Sequence, residues 1–190
     1  MKVRGYKLTR QSNLVGADLS GACLNQVDIA WSNLRGANLS EVSASSADFA
    51  NCNFRGANLR DSAICRSWMM GCDFQGADMR GMCLLQTRIN GADLRGAILP
   101  DLDELLLCEW QVVSDDLCRE LMRYDASLFP YPRYFDDWAR GEGLCPYLKV
   151  DIFRAVNFSE RKALWSPGPA LGKEELVQRL FKEKNIKSDI

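Results

Sequence analysis

The chain has 190 residues, 47% of them hydrophobic, so it is long enough and apolar enough to bury a core. Its 24 basic and 25 acidic residues leave a formal net charge of -1, which provides no overall attraction to nucleic acid or to an anionic membrane. The N-terminus shows no signal peptide and no apolar run approaches the ~18 residues of a membrane span, so we expect a cytoplasmic protein.

Residues 1–11 are a lead-in to a five-residue repeat that continues without a phase break from Leu14 to Leu99. The central residue of every repeat is apolar, at Leu14, Leu19, Leu24, Ile29, Leu34, Leu39, Ala44, Phe49, Phe54, Leu59, Ile64, Met69, Phe74, Met79, Leu84, Ile89, Leu94 and Leu99. A period of five fits neither a helix nor a simple alternating strand, so short strands separated by tight turns must bury these centres. If each pentapeptide forms one side of a square, four of them make a 20-residue coil, and coils stack at a strand spacing of ~4.8 Å.

Residues 20 apart have the same character, which supports the four-sided coil. One corner is always glycine and the next residue is always alanine, at Gly16, Gly36, Gly56, Gly76 and Gly96 and at Ala17, Ala37, Ala57, Ala77 and Ala97. Glycine adopts turn dihedrals that are closed to other residues, and alanine fills a narrow inward corner. Residues 12–100 are therefore predicted to form an all-β solenoid of about 4.5 coils, with Phe54 between Leu34 and Phe74 in its core.

The repeats include ADLSG at 17–21, ANLSE at 37–41, ADFAN at 47–51, ANLRD at 57–61, ADMRG at 77–81 and ADLRG at 92–96. In these motifs the sequence resembles the pentapeptide-repeat proteins, whose motif is A(D/N)LXX. The resemblance covers just under half of the chain. It implies that the solenoid is a right-handed quadrilateral β-helix.

Two of the four predicted outer faces carry columns of polar side chains. We define the polar ladder as a candidate binding surface formed by Asn33, Asn53, Asp73, Arg35, Arg55, Arg95, Arg60 and Arg80. In one interpretation these arginines are solvated and pair with Asp73, Asp78 and Asp93. In the other they face an anion or an acidic partner, because arginine binds phosphate and carboxylate bidentately.

The other two faces include a run of uncharged side chains. We define the apolar patch as a candidate interface formed by Ala63, Cys65, Trp68, Met70, Cys83 and Leu85. A contiguous apolar surface of this kind indicates a contact. We expect part of residues 101–190 to fold back along it, because an intrachain contact avoids the entropic cost of association. A separate protein partner and a homodimer are the alternatives.

The repeat ends at Pro100, and residues 101–190 are predicted to form a mostly helical capping or docking segment of no recognised family. Its first leucines, Leu102, Leu105, Leu106 and Leu107, would cover the open end of the solenoid, whose unpaired backbone could otherwise recruit another chain. Ser114 resembles the N-cap of an amphipathic helix, and a final helix is predicted from about Lys173 to about Asn185.

Eight cysteines and the absence of histidine limit the chemistry. The cysteines, at 23, 52, 65, 72, 83, 108, 118 and 145, show no C-x-x-C spacing, so we predict reduced small hydrophobic residues, with Cys52 and Cys72 stacked and buried. Without histidine the usual general base and mixed zinc sites are missing, and no nucleophile elbow, phosphate-binding loop or dinucleotide fingerprint occurs. We expect no enzyme, no catalytic residues, no metal and no cofactor.

These observations favour a non-enzymatic scaffold that presents rigid polar ladders to an unidentified protein partner. The resemblance implies an alternative, because some pentapeptide-repeat proteins protect DNA gyrase by imitating the shape and negative charge of DNA. Residues 1–100 hold eleven basic and eight acidic side chains, 11 - 8 = +3, which disfavours that role. A second alternative is weak binding of an anion or a nucleic acid by the arginine columns, although direct nucleic-acid binding would need a larger basic stripe than five arginines.

Overall fold

The computed structural model describes residues 1–109, 113–128, 133–142, 158 and 160–190. The chain divides into two compact units, Met1–Glu109 with Phe181–Ile190, and Trp110–Leu180. The first unit opens with a hairpin of β1 (Lys2–Val3) and β2 (Tyr6–Lys7), in which Lys2 pairs with Lys7 and Val3 with Tyr6. The rest of this unit is mainly the stack of coils formed by the five-residue repeat.

The coils are held together by parallel backbone pairs between residues 20 apart, from Asn13 with Asn33 up to Asp78 with Ile98. The Leu34 N–H, for example, donates to the Asn53 carbonyl at 2.8 Å, and the Phe54 N–H donates to the Asp73 carbonyl at 2.7 Å. The predicted 20-residue register is therefore confirmed.

The repeat centres form the core of this stack. All of them are buried except Leu99, which is half-buried because the repeat ends beside it. The Phe54 and Phe74 rings stack at a centroid distance of 5.1 Å with an interplanar angle of 4°, and Phe49 meets Phe54 edge-on at 5.9 Å. This column of side chains fixes which residues point outward.

The corners have left-handed backbone two residues after every centre from Leu14 to Leu94. The glycine corner has φ between 63° and 67° at Gly16, Gly36, Gly56, Gly76 and Gly96. At the other corners side-chain-bearing residues adopt the same conformation, including Trp31 with φ 65°. That conformation is uncommon for a bulky residue, so the stack must impose it.

Two segments seal the last coil. Helix α1 (Leu102–Leu106) is capped by the side chain of Asp101, buries Leu105 and Leu106, and leads to Leu107, whose carbonyl accepts from the Gln86 N–H at 2.9 Å. The C-terminal tail supplies the second segment. The Leu94 N–H donates to the Lys187 carbonyl at 2.7 Å, and the Lys187 N–H donates to the Ala92 carbonyl at 3.0 Å. Lys187 thus pairs with Asp93 in the way that a residue of a further coil, 20 positions after Asp93, would pair with it.

The second unit contains α2 (Asp115–Leu128), α3 (Arg133–Arg140) and a 3-10 helix (Lys162–Leu164). The N–H of Leu117 donates to the Ser114 hydroxyl at 3.3 Å, and the face of α2 formed by Leu117, Cys118, Leu121 and Met122 is buried. Helix α4 (Lys173–Glu183) belongs to this unit as far as Leu180. The cysteine at 145 lies outside the described residues.

Candidate interaction surface

The Asp or Asn before each centre closes the turn that follows. The Asp48 carboxylate accepts from the Ala50 N–H at 2.9 Å, and the Asn53 side-chain oxygen accepts from the Arg55 N–H at 3.0 Å. The same bond is made by Asn13, Asp18, Asp28, Asn33, Asn38, Asn58, Asp73, Asp78 and Asp93. The Asp/Asn of the repeat therefore has a local structural role, and the ladder residues Asn33 and Asn53 use one acceptor in their own turns.

Outward side chains of neighbouring coils pair along a diagonal. The residue that follows a centre contacts the residue 18 positions later, which precedes the equivalent centre of the next coil. Arg55 and Asp73 are one such pair, in which the guanidinium lies 3.3 Å from the carboxylate. The same spacing joins Arg10–Asp28, Asn25–Ser43, Arg60–Asp78, Cys65–Cys83 and Gln75–Asp93. This offset of 18 follows from the repeat, but a comparison of residues 20 apart does not reveal it.

Most ladder arginines are compensated by carboxylates. Arg80 binds Asp78 bidentately, with contacts of 2.9 and 2.6 Å, while Arg60 lies 3.8 Å from the same carboxylate. Arg95 binds Asp93 in the same bidentate way. The hydrogen bond from Arg80 lowers the pKa of Asp78 to about 2, and the bond from Arg95 lowers the pKa of Asp93. These pairs are the ones that the solvated interpretation of the ladder predicts.

Arg35 differs from the other ladder arginines. The residue 18 positions after Arg35, which would be its partner on the diagonal, is Asn53, whose side chain carries no charge. Within the described part of the chain, no carboxylate forms a salt bridge with Arg35. Arg35 is exposed, so its guanidinium is available to an external anion.

Two exposed apolar side chains occupy positions near Arg35 in the repeat, one four residues earlier in the same coil and one in the neighbouring coil. Trp31, at the corner that opens the same side of the coil, is 57% exposed. Val15 is 55% exposed, and the next N–H, that of Gly16, donates to the Arg35 carbonyl at 2.9 Å, which places Val15 beside Arg35 in the neighbouring coil. We call Val15, Trp31 and Arg35 the Trp31 surface. The sequence signal was a tryptophan at a corner that otherwise carries Asn51, Gly71 and Gly91.

The apolar patch is only partly covered. Ala63 is exposed and Trp68 is 38% exposed, whereas Cys65, Met70, Cys83 and Leu85 are half-buried. Within the first unit, residues that follow the repeat contact the last coil beside the patch. Glu109 lies 2.6 Å from Arg88, and the Glu104 carboxylate accepts from the Leu84 N–H at 3.2 Å. Trp68 remains 38% exposed, so the fold-back of part of residues 101–190 along the patch stays a prediction.

Cys52 and Cys72 are free and buried one coil apart, as predicted. The Cys52 thiol donates to the Ile29 carbonyl at 3.1 Å, and the Cys72 thiol donates to the Phe49 carbonyl at 3.0 Å. The described residues contain no group of three or more potential metal ligands among His, Cys, Asp and Glu.

No helix in the described ranges is long and apolar enough to span a membrane.

Comparison with known proteins bears on the repeat region. The family model for pentapeptide repeats matches eight copies, over residues 10–30, 22–61 and 70–101. No curated protein matches the chain.

Solved structures of pentapeptide repeat proteins are similar to part of the chain. One from the cyanobacterium Cyanothece 51142 is 25% identical with a TM-score of 0.47, over 52% of this chain and 67% of that chain. The plasmid-mediated fluoroquinolone resistance protein QnrB1 is 24% identical with a TM-score of 0.45, and the chain spans about half of it, 47% of each. A pentapeptide repeat protein from Nostoc Pcc 7120 is 35% identical with a TM-score of 0.27, over 47% of this chain and 65% of that chain.

The family match and the observed coils concern the same residues. The matched ranges fall within residues 10–101, and the parallel pairs between residues 20 apart run through the same segment. This segment therefore consists of pentapeptide repeats of the kind that the family model describes.

Proposed function

We propose that the repeat region is a non-enzymatic protein-binding scaffold, a right-handed quadrilateral β-helix of about 4.5 coils whose partner docks on the Trp31 surface. The observation that carries the proposal is an exposed tryptophan at a corner of the coil, four residues before the ladder arginine that forms no salt bridge with a carboxylate of the described residues. Tryptophan and arginine are enriched among the residues that dominate binding energy at protein interfaces.

The charge pattern favours an acidic segment of a partner protein. Arg55, Arg60, Arg80 and Arg95 already contact Asp73, Asp78 or Asp93, so they add little net attraction. Arg35 would gain a bidentate carboxylate from the partner, while Trp31 and Val15 would bury apolar area next to it. Trp31 also lies on a backbone held by the buried coil, so it loses little conformational entropy on binding.

The test is quantitative affinity capture from the native host with the tagged full-length chain and matched variants. Trp31→Asn introduces the residue that the same corner carries one coil later, and Asn53→Asp supplies the carboxylate missing from the diagonal of Arg35. Arg55→Gln serves as the control, because Arg55 is already paired with Asp73.

We expect a specific partner that Trp31→Asn and Asn53→Asp each weaken at least tenfold in measured affinity, whereas Arg55→Gln retains it. A partner that all three variants retain equally would place the docking site elsewhere, with the apolar patch as the next candidate. Recovery of no specific protein would contradict the scaffold function.

A gyrase assay separates this proposal from DNA mimicry. Mimicry requires an acidic rod, whereas the carboxylates of the ladder are matched by arginines and residues 1–100 carry a charge of 11 - 8 = +3. We expect no restoration of DNA supercoiling when the protein is added to gyrase inhibited by a fluoroquinolone. Restoration at stoichiometric protein would replace the scaffold proposal.

A further inference from the structure

Two thiols on the apolar patch face each other across neighbouring coils. The Sγ atoms of Cys65 and Cys83 are 3.5 Å apart, and both residues are half-buried, so a small reagent can reach them. They occupy the diagonal at which other coils place salt bridges and amide–carboxylate bonds. The offset of 18 that places Arg55 beside Asp73 therefore places the two nucleophilic sulfurs of Cys65 and Cys83 beside each other.

We propose that Cys65 and Cys83 form a reversible disulfide by exchange with a small-molecule disulfide of the glutathione type. A disulfide bond is ~2.05 Å long, so each sulfur has to approach the other by less than about 1 Å. Rotation of the two outward side chains provides that movement, because neither Sγ lies in the packed column of repeat centres. The proposal concerns a modification site and does not depend on the identity of the docking partner.

The exchange is balanced in two steps. One protein thiolate attacks a sulfur of oxidised glutathione, forming a mixed disulfide and releasing one glutathione thiolate. The second protein thiolate attacks the protein sulfur of that mixed disulfide, which forms the Cys65–Cys83 bond and releases the second glutathione thiolate. The two protons lost by the protein thiols end on the two glutathiones, and the protein gives up the two electrons that oxidised glutathione accepts.

The other cysteines of the described chain cannot follow this route, for different reasons. Cys52 and Cys72 are buried, and their thiols donate to backbone carbonyls of the previous coil. Cys108 and Cys118 are also buried, whereas Cys23 is exposed and its diagonal neighbour 18 residues earlier is Gly5. Cys23 is therefore a matched control on the same face, able to take up glutathione but unable to close a ring with a diagonal partner.

The environment of the pair controls its rate. The pKa of the Cys65 thiol is raised to about 11, chiefly by burial and with smaller contributions from Cys83 and Glu104, while Arg66 acts in the opposite direction. Only the thiolate attacks, and below the pKa the thiolate fraction of Cys65 increases roughly tenfold for each unit by which the pH is raised. Closure should accordingly accelerate with pH between 7 and 9, while the finished disulfide stays in place when the pH is lowered again.

The experiment treats the full-length protein with oxidised glutathione at pH 7, 8 and 9 and maps the thiols by peptide mass spectrometry. We expect a linked pair of peptides containing Cys65 and Cys83, a glutathione adduct retained on Cys23, and unmodified Cys52 and Cys72. In Cys65→Ser and Cys83→Ser, the remaining partner should retain glutathione as a stable mixed disulfide. A reductant should restore both thiols.

Two results would overturn the proposal. The first is glutathione on Cys23 with Cys65 and Cys83 unreacted or held as separate adducts in the unmutated chain. The second is a bridge from either residue to another cysteine.

Thermal unfolding provides an independent readout. Closure of the 18-residue loop should raise the midpoint of thermal unfolding by roughly 5 to 10 °C relative to the reduced protein, and the two serine variants should show no such change on oxidation.

Discussion

Each position of the pentapeptide has its own chemical environment in this chain. Most side chains two residues before a centre are buried. The hydroxyls of Ser67 and Thr87 donate to a carbonyl of the previous coil, as Ser67 does to Ala44 at 2.7 Å, whereas the Ser62 hydroxyl donates to the Leu59 carbonyl of its own coil at 2.7 Å. Cysteine serves the same purpose at Cys52 and Cys72. Burial raises the pKa of the Cys52 thiol to about 12 and the pKa of the Cys72 thiol well above its usual value, so both remain protonated donors.

Phe54 tests the core at the level of one side chain. It is fully buried and stacks on Phe74, so Phe54→Ala should leave a cavity and lower the free energy of unfolding by about 3 to 5 kcal/mol. The control is Arg55→Ala at the adjacent exposed position, which should cost less than about 1 kcal/mol. Urea unfolding followed by circular dichroism gives both values, and a cost of less than about 1 kcal/mol for Phe54→Ala would contradict the stacked core.

Asp78 provides a prediction about charge. Its pKa is lowered to about 2 chiefly by the hydrogen bond from Arg80, so its ionised form stabilises the folded state above about pH 4, and this contribution is lost as the pH falls towards 2. Arg80→Gln should raise the Asp78 pKa towards 3.8, measured by NMR titration of the carboxyl carbon. Arg60→Gln is the control, because Arg60 lies 3.8 Å away, and it should raise the pKa less. The opposite order would show that Arg60 is the main partner.

At the scale of secondary-structure elements, the ends of the coil stack were the hardest to predict. The repeat itself specified the coil register because every centre, corner and turn residue recurs with the same spacing. No such recurrence identifies Lys184 or Lys187 as backbone partners of the last coil, since they follow the repeat by more than 80 residues and lie outside any motif. Leucines near 102–107 could be predicted as a cover because hydrophobicity alone indicated it.

The tail contact can be tested through one backbone N–H. Lys187→Pro removes the donor to the Ala92 carbonyl, whereas Lys187→Ala keeps it. We expect the amides of Gly91 and Leu94, which donate to the carbonyls of Lys184 and Lys187, to exchange with deuterium faster in the proline variant only. The Leu34 amide, in the middle of the stack, is the internal reference. Equal protection of Gly91 and Leu94 in both variants would show that the tail does not hold this edge.

At the scale of the whole molecule, the five-residue period was enough to predict the solenoid but not the surface that it presents. Arg35 and Arg55 look alike in sequence, and they differ only because the diagonal places Asn53 beside one and Asp73 beside the other. Likewise, Cys65 and Cys83 come together through an offset of 18, whereas the sequence analysis considered residues 20 apart. Predicting a surface therefore requires the three-dimensional offset between coils as well as the repeat.

The first unit is discontinuous in sequence, because it combines Met1–Glu109 with Phe181–Ile190. A chain of residues 1–109 alone should therefore fold its coils but leave the Gly91 and Leu94 N–H groups unpaired, an edge that recruits other chains. Joining residues 181–190 to it through a long flexible Gly/Ser linker should restore the pairing without the intervening residues. We expect light scattering to show self-association of 1–109 and a monomer for the linked chain. The linked chain carrying Lys187→Pro is the control and should self-associate again. If 1–109 is a monomer whose Gly91 and Leu94 amides are as protected as those of the full chain, the C-terminal tail is dispensable for closing the coil stack.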